Sequence, residues 1–294
     1  MPSAPPPPPH SFYTLLATFL AFPLHAPLTL LVLDAPFGKF AWDGSWLNVH
    51  GNTAWVVMEA VSPMTFLFNL DTARLSPRAT LLTALYFAHY THRSVVSPVF
   101  LAPKRAPLHV IVVAAGVFFN YLNATLLAHA LVSFPPPGGW RFMAGIVIWA
   151  LGFVGNAYHD EILHDLRRPA GQRLVSTPSD DPRDTAKGGR YRIPRGGLFA
   201  LVSFPNYLCE WLEWSGFALA ATPSMFIAVP TTYTVPLALP FGWRFPAYLL
   251  AAPWAFVLAE VTSMLPRAVR GHAWYRATFA GYPKNRRAAV PWLI

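Results

Sequence analysis

The chain is short of charge and of cysteine. Charged residues make up 12% of its 294 positions, about half of the roughly 25% usual in soluble domains. The single cysteine, Cys209, excludes an intrachain disulfide framework and any zinc site built on clustered thiolates. HEXXH is missing, and the 10 histidines offer no pair in a metal-ligand context, so no metal is expected. GxGxxG and GxxxxGK[ST] are missing too, which leaves neither a Rossmann turn nor a P-loop. No internal repeat is evident. The 31 prolines argue against long uninterrupted soluble helices.

What is present is apolar. The chain is 54% hydrophobic and 15% aromatic, with mean hydropathy +0.37. That excludes a disordered chain and predicts an all-α, polytopic membrane protein. A spanning helix needs about 20 mainly apolar residues. Seven candidate spans satisfy this approximately, at 12–33, 53–70, 80–100, 108–132, 142–159, 206–228 and 246–265. Pro23, Pro27, Pro63 and Pro253 fall inside them and are tolerated where neighbours re-satisfy the freed carbonyls. No Lys or Arg precedes the first run, so it reads as a retained span and not as a secretory signal. The proline run at 5–9 reads as a short extended arm. Residues 170–190 are polar and rich in Pro, Gly, Asp and Ser, which predicts a flexible cytosolic loop.

The net charge of +9 does not point to nucleic acid, because the basic residues are sorted by topology. With seven spans, all of the 22 basic residues except Arg74, Arg78, Arg141 and Arg244 fall on one side. The positive-inside rule then sets the C-terminus in the cytosol and the N-terminus on the lumenal side. The expected domain organisation is one membrane-embedded unit over 1–294, with most of a cofactor site in 140–294.

Ionisable groups inside membrane segments are rare and mark function or paired structure. Glu59 has no basic residue within ten positions. Asn206, Glu210 and Glu213 fall at i, i+4 and i+7, and Asn156, Asp160 and Arg167 at i, i+4 and i+11, so each set lies on one helix face. With Tyr191, Tyr207 and Tyr275 nearby, two such stripes form either a polar pocket for an anionic, ribose-bearing cofactor or an interhelical structural network. His89, Tyr90, His92 and Arg93 cluster at one end of the third span. Glu161 and Glu260 read as helix-end acids paired or solvated at the surface.

Four segments carry a specific resemblance: LYFAHYTHRS at 85–94, GNAYHDEILHDLRRP at 155–169, YRIPRGGLFALVSFPNYLCEWLEWSGFALA at 191–220 and RAVRGHAWYRATFAGYPKNRRAAVPWLI at 267–294. Together they closely resemble the steroid 5α-reductase family, the 3-oxo-5α-steroid 4-dehydrogenases. The resemblance implies a seven-helix membrane reductase that uses NADPH to saturate a double bond conjugated to a ketone. It implies that Glu59 and Tyr90 grip the substrate's 3-keto oxygen as catalytic residues. It implies a cofactor pocket of Asn156, Asp160, Arg167, Tyr191, Arg192, Asn206, Glu210, Tyr275 and Arg286, with Glu213 and Trp214 beside nicotinamide and substrate. Three departures stand out: Met58 precedes Glu59 where the family often has Gln, Gly271-His272 replaces a His pair, and LAPKR at 101–105 replaces a segment with Asn and Arg. Lys104 or Arg105 would substitute there. The 170–190 loop also exceeds that of the animal enzymes.

The expected partners are a lipophilic enone and the lipid bilayer, with the monomer as the working form and the endoplasmic reticulum as location in a eukaryote. Two other readings compete. One is a sibling reductase of enoyl-CoA or polyprenol-type lipids; the other is a transporter or non-enzymatic membrane protein whose acids pair structurally.

Overall fold

The computed structural model describes residues 5–32, 35–42, 44–175, 182–186, 191–230 and 248–294. Parts of the polar 170–190 segment therefore lie outside the described residues, as do Lys187, Arg190 and Arg244. The described residues are mostly helical. In chain order the helices are α1 (Ser11–Leu20), α2 (Ala26–Leu31), α3 (Gly51–Asn69), α4 (Pro77–Thr91), α5 (Val110–Ser133), α6 (Trp140–Asp165), α7 (Pro205–Ala221) and α8 (Ala252–Thr278).

Local chemistry accounts for several boundaries. Ser76 caps α4 by accepting from the Ala79 amide, and Pro77 follows at the first position, where its missing N–H costs nothing. Pro205 opens α7 in the same way. The first predicted span is interrupted by a 3-10 turn at Phe22–His25, which carries Pro23, before α2 resumes with Pro27 near its start. Past Thr91, α4 continues as a π-helix over His92–Leu101 that contains Pro98. Such wide turns re-aim side chains and recur at functional sites.

Three segments are long and apolar enough to cross a membrane: Ser11–Leu31, α5 and α6. Helix also covers the other four predicted positions, with shifted ends. The predicted 206–228 span ends as helix at Ala221, and Phe226–Ala228 is instead a strand paired antiparallel with Tyr248–Leu250. The last span begins at Ala252 and runs on to Thr278. A second short antiparallel pair joins Asn48–Val49 to Leu108–His109.

The surface of α6 is inverted relative to a soluble helix. Met143, Val147, Leu151 and Val154 form an exposed apolar stripe, while Gly145, Gly152 and Asn156 face inward. That pattern suits a helix whose outer solvent is lipid. Gly152 allows α6 and α7 to touch backbone to backbone, since a Cβ there would strike Glu213 and Cys209 main-chain atoms. This contact brings the two polar stripes together. Around them the core is aromatic and aliphatic, with Phe12, Leu16, Phe66, Tyr86, Trp214, Phe217 and Phe256 fully buried.

Candidate active site

The site grows from the α6–α7 contact. The Asn156 amide donates to the Asn206 carbonyl at 2.9 Å and to Glu210 Oε2 at 3.2 Å. Asn206 Nδ2 donates to Asp160 Oδ1 at 3.0 Å. The two stripes read from the sequence thus face each other and share hydrogen bonds.

Arg93, carried in on the π-turn after α4, closes the arrangement. Its guanidinium stands 3.5 Å from Glu59 Oε1 on α3, 3.5 Å from Asp160 Oδ2 on α6 and 3.5 Å from Glu210 Oε1 on α7. It also lies over the Trp55 ring at 5.0 Å. One cation therefore gathers acids from three helices. Breaking such a pairing leaves buried charges uncompensated, so this hub fixes the relative depth of α3, α6 and α7.

The adjoining wall is aromatic. Tyr90 is buried and packs 6.0 Å from the Trp214 ring and 4.7 Å from the Tyr86 ring, whose hydroxyl meets Ser62 Oγ at 2.6 Å. Glu59 is an electrostatic neighbour of both tyrosines. Glu59 and Ser62 lie on one face of α3, above Phe66, which stacks on Tyr86 at 4.0 Å. His89 meets Glu213 Oε1 at 2.7 Å and stands edge-on to Trp214 at 4.6 Å. The second oxygen of Glu213 is buried without a hydrogen-bond partner among the described residues.

Around the polar stripes lies a basic and phenolic rim. Arg167 sits past the end of α6 among Asp160, Tyr191 and Tyr275; burial lowers its affinity for its proton, and Asp160 counters that. Burial likewise pushes the Tyr275 hydroxyl up from its ordinary value, and Tyr282, stacked on it at 5.4 Å, adds to the effect. Arg105 also lies on this rim. Its amide is held by Asn52, its guanidinium lies 4.5 Å from the Trp55 ring, and Asp160, Arg93, Arg167 and Glu59 are its electrostatic neighbours. Arg192 is tied by a backbone bridge to Thr185, next to Tyr191.

The tail completes the rim. Residues 287–288 run beside 201–204, with Arg287 N donating to Leu201 O, Ser203 N to Arg287 O and Phe204 N to Ala288 O. That brings Arg286 to the N-terminal end of α7. Arg286 is 4% exposed, and its Nε and Nη1 have no hydrogen-bond partner among the described residues. A buried guanidinium with unmet donors is costly, and an anion at this position would satisfy it. The donor set fits the phosphates and ribose of a dinucleotide, because guanidinium binds phosphate bidentately. The Asn and Asp side chains can serve ribose hydroxyls.

Gly271 has a structural reason. A Cβ at 271 would strike the Phe204 ring and approach the Lys39 ammonium within 2.8 Å. Lys39 uses that space: its Nζ donates to Gly271 O at 3.3 Å and lies 4.6 Å and 4.4 Å from the Trp274 and Tyr275 rings.

The two stripes were legible in the sequence and meet in the structure, and Glu59 lies near Tyr90, the two residues that the resemblance named together. Sequence reasoning left out Arg93 as a hub, although a lone arginine in an apolar run was itself a signal. Ser62 and Tyr86 carried no signal beyond ordinary polarity. Glu161 behaves as expected, bonded to His164 and Arg168 at 2.7 Å each. Glu260 does not: it faces inward, with Glu210, Arg93, Glu59 and Glu213 as its neighbours. The surface expectation fails because α8 is far longer than the span read from hydropathy, so residue 260 lies within the helix and not at its end.

Comparison with known proteins assigns the class. A family profile for 3-oxo-5-alpha-steroid 4-dehydrogenase matches residues 182–238 and 241–294. An uncharacterised protein of Schizosaccharomyces pombe is 36% identical, over 91% of this chain and 94% of its own. The steroid 5-alpha-reductase DET2 of Solanum lycopersicum is 31% identical, over 96% of both chains. The 3-oxo-5-alpha-steroid 4-dehydrogenase 1 of Bos taurus is 29% identical, over 90% of both. The molecule is thus a helical membrane protein and an oxidoreductase. It belongs to the 3-oxo-5-alpha-steroid 4-dehydrogenase, or steroid 5-alpha-reductase, family.

Proposed function

We propose that the protein reduces the 4,5 double bond of 3-oxo-4-ene steroids with NADPH. The observation that carries the reading is the Arg93 hub, which sets the acid and amide stripes of α6 and α7 against the Glu59, Tyr90 and Trp214 wall. One side of that junction suits a polar, anionic dinucleotide and the other a greasy ring system.

When bound, NADPH would supply hydride to the β carbon of the enone. Arg286, Arg167 and Tyr275 would hold its phosphates, with Arg192 and Tyr191 alongside. Asn156, Asp160, Asn206 and Glu210 would hold its ribose and amide groups. Glu213 and Trp214 bound the space between nicotinamide and substrate. As hydride arrives, negative charge grows on the carbonyl oxygen. Tyr90 donates a hydrogen bond to that oxygen, and a donor preset at a developing charge is worth about 10²–10³ in rate. Glu59 lies beside the same oxygen, and Arg93, 3.5 Å from its carboxyl, offsets the negative charge that grows there. Burial among aromatic rings excludes water from the reacting atoms.

We propose the seven-span arrangement as well. The bias of basic residues to one side supports a cytosolic C-terminus and a lumenal N-terminus, with the endoplasmic reticulum as the location in a eukaryote. One chain supplies every group named, which supports a working monomer of a single unit over 1–294.

Purified protein in detergent, given NADPH with a 4-en-3-one steroid or with a trans-2-enoyl-CoA, tests the reading. Turnover of the steroid is the expected result. Turnover of the thioester alone would assign the protein to the sibling lipid reductases, and no NADPH binding would remove the enzymatic reading.

A further inference from the structure

α7 and α8 run antiparallel, and apolar contacts set their register. Phe256 on α8 stands edge-on to Trp214 on α7 at 4.6 Å. Further along, Tyr207, Leu208 and Trp211 pack in one cluster with Val261, Met264, Leu265 and Ala268. One turn from Phe256 in that direction is Glu260, and one turn from Trp214 in the same direction is Glu210. The register alone therefore brings two carboxyls opposite each other across the helix pair. The electrostatic neighbours agree: Glu260 lies in the field of Glu210, Arg93, Glu59 and Glu213, and Tyr90 also senses Glu260.

Charge makes this pairing consequential. The acids facing Glu260 are Glu59 from α3 and Glu210 and Glu213 from α7, and the cation facing it is Arg93. That guanidinium is already divided among Glu59, Asp160 and Glu210. Two carboxyls facing each other in a low-dielectric interior do not both ionise; they share a proton. The reaction proposed above consumes one proton per hydride, and none of its steps uses Glu260.

We propose that Glu260, acting through Glu210, holds the proton that the reduction consumes, and so is a positioning residue of this active site. The inference rests on the reductase reading. Hydride, with its electron pair, forms the new C–H bond at the β carbon, and the π electrons of the alkene move through the conjugated system onto the carbonyl oxygen. The proton shared by Glu210 and Glu260 then forms the C–H bond at the α carbon as the carbonyl re-forms. The emptied pair regains a proton from water on the Asp160 side, where the acid side chain is 16% exposed against 6% for Glu210.

The test uses the full-length protein in detergent with NADPH and a 4-en-3-one. Glu260→Gln keeps the shape of the side chain and removes its exchangeable proton. It is expected to lower kcat by at least about tenfold, with both KM values within about twofold of wild type. The solvent deuterium isotope effect on kcat is expected to grow, because protonation becomes slower than hydride transfer. Thermal stabilisation by NADPH is expected to persist, and Glu260→Asp is expected to restore most of kcat. Wild-type kcat and isotope effect in Glu260→Gln across the pH range would overturn the proposal. So would loss of NADPH stabilisation in both variants, which would make Glu260 a structural prop of the cofactor pocket. An inactive wild type would instead remove the reductase reading, and is recognised before any variant is compared.

Discussion

At the scale of single side chains the proposed chemistry is tested most sharply at Tyr90. It is buried against Trp214, beside Ser62, Tyr86 and Glu59. Tyr90→Phe keeps the ring packing and removes the donor, so kcat for a 4-en-3-one should fall about 10²–10³-fold while NADPH binding is unchanged. Full activity in that variant would eliminate Tyr90 as the electrophile. Glu59→Gln should keep much of the activity, since an amide can donate to that oxygen, whereas Glu59→Ala should lose most of it; steady-state kinetics read both. Arg286→Ala removes a buried guanidinium whose Nε and Nη1 lack partners among the described residues. The KM for NADPH should rise well beyond that for the steroid, and equal changes in both would argue against a phosphate contact.

Helices and the tail act as units. The tail is latched where Ser203 Oγ meets His272 at 2.6 Å, Tyr282 at 2.5 Å and the Arg287 carbonyl at 3.1 Å. Burial lowers the His272 pKa from 6.5, and Arg276, Arg286, Arg287 and Lys39 lower it further. The folded protein therefore binds this proton less readily than the unfolded chain. Stability from the latch is full above about pH 6.5 and declines as pH falls below it. Thermal unfolding of the wild type should show that acid-side loss, and His272→Gln should flatten it. At the α6–α7 contact, Gly152→Ala forces a methyl into the Glu213 backbone. Overpacking of this kind costs about 1–3 kcal/mol and should also weaken NADPH binding, because the two stripes are pushed apart.

The whole molecule is arranged around lipid on the outside and charge within. Met143, Val147, Leu151 and Val154 face outward on α6 while Asn156, Glu210 and Glu213 are buried. The proposed seven-span orientation predicts that tags at the two ends respond differently in sealed membranes, with the C-terminal tag accessible from the cytosolic face and the N-terminal tag protected. Accessibility of both from one side would overturn the odd number of spans.

Periodicity and hydropathy sufficed for the helical class, for the approximate position of each helix and for the faces that carry Asn156/Asp160 and Asn206/Glu210/Glu213. Those are local properties: a residue's spacing sets its azimuth on its own helix, and apolar length sets whether that helix suits a membrane. The long motifs likewise made the family legible. Tertiary structure alone decided which faces meet and at what depth. Arg93 became a hub only because a π-turn re-aimed it toward α3, α6 and α7. Glu260 turned inward only because the Phe256–Trp214 contact set the register of α8. Helix register and interhelical contact come from side chains far apart in sequence, and no spacing within one segment encodes them.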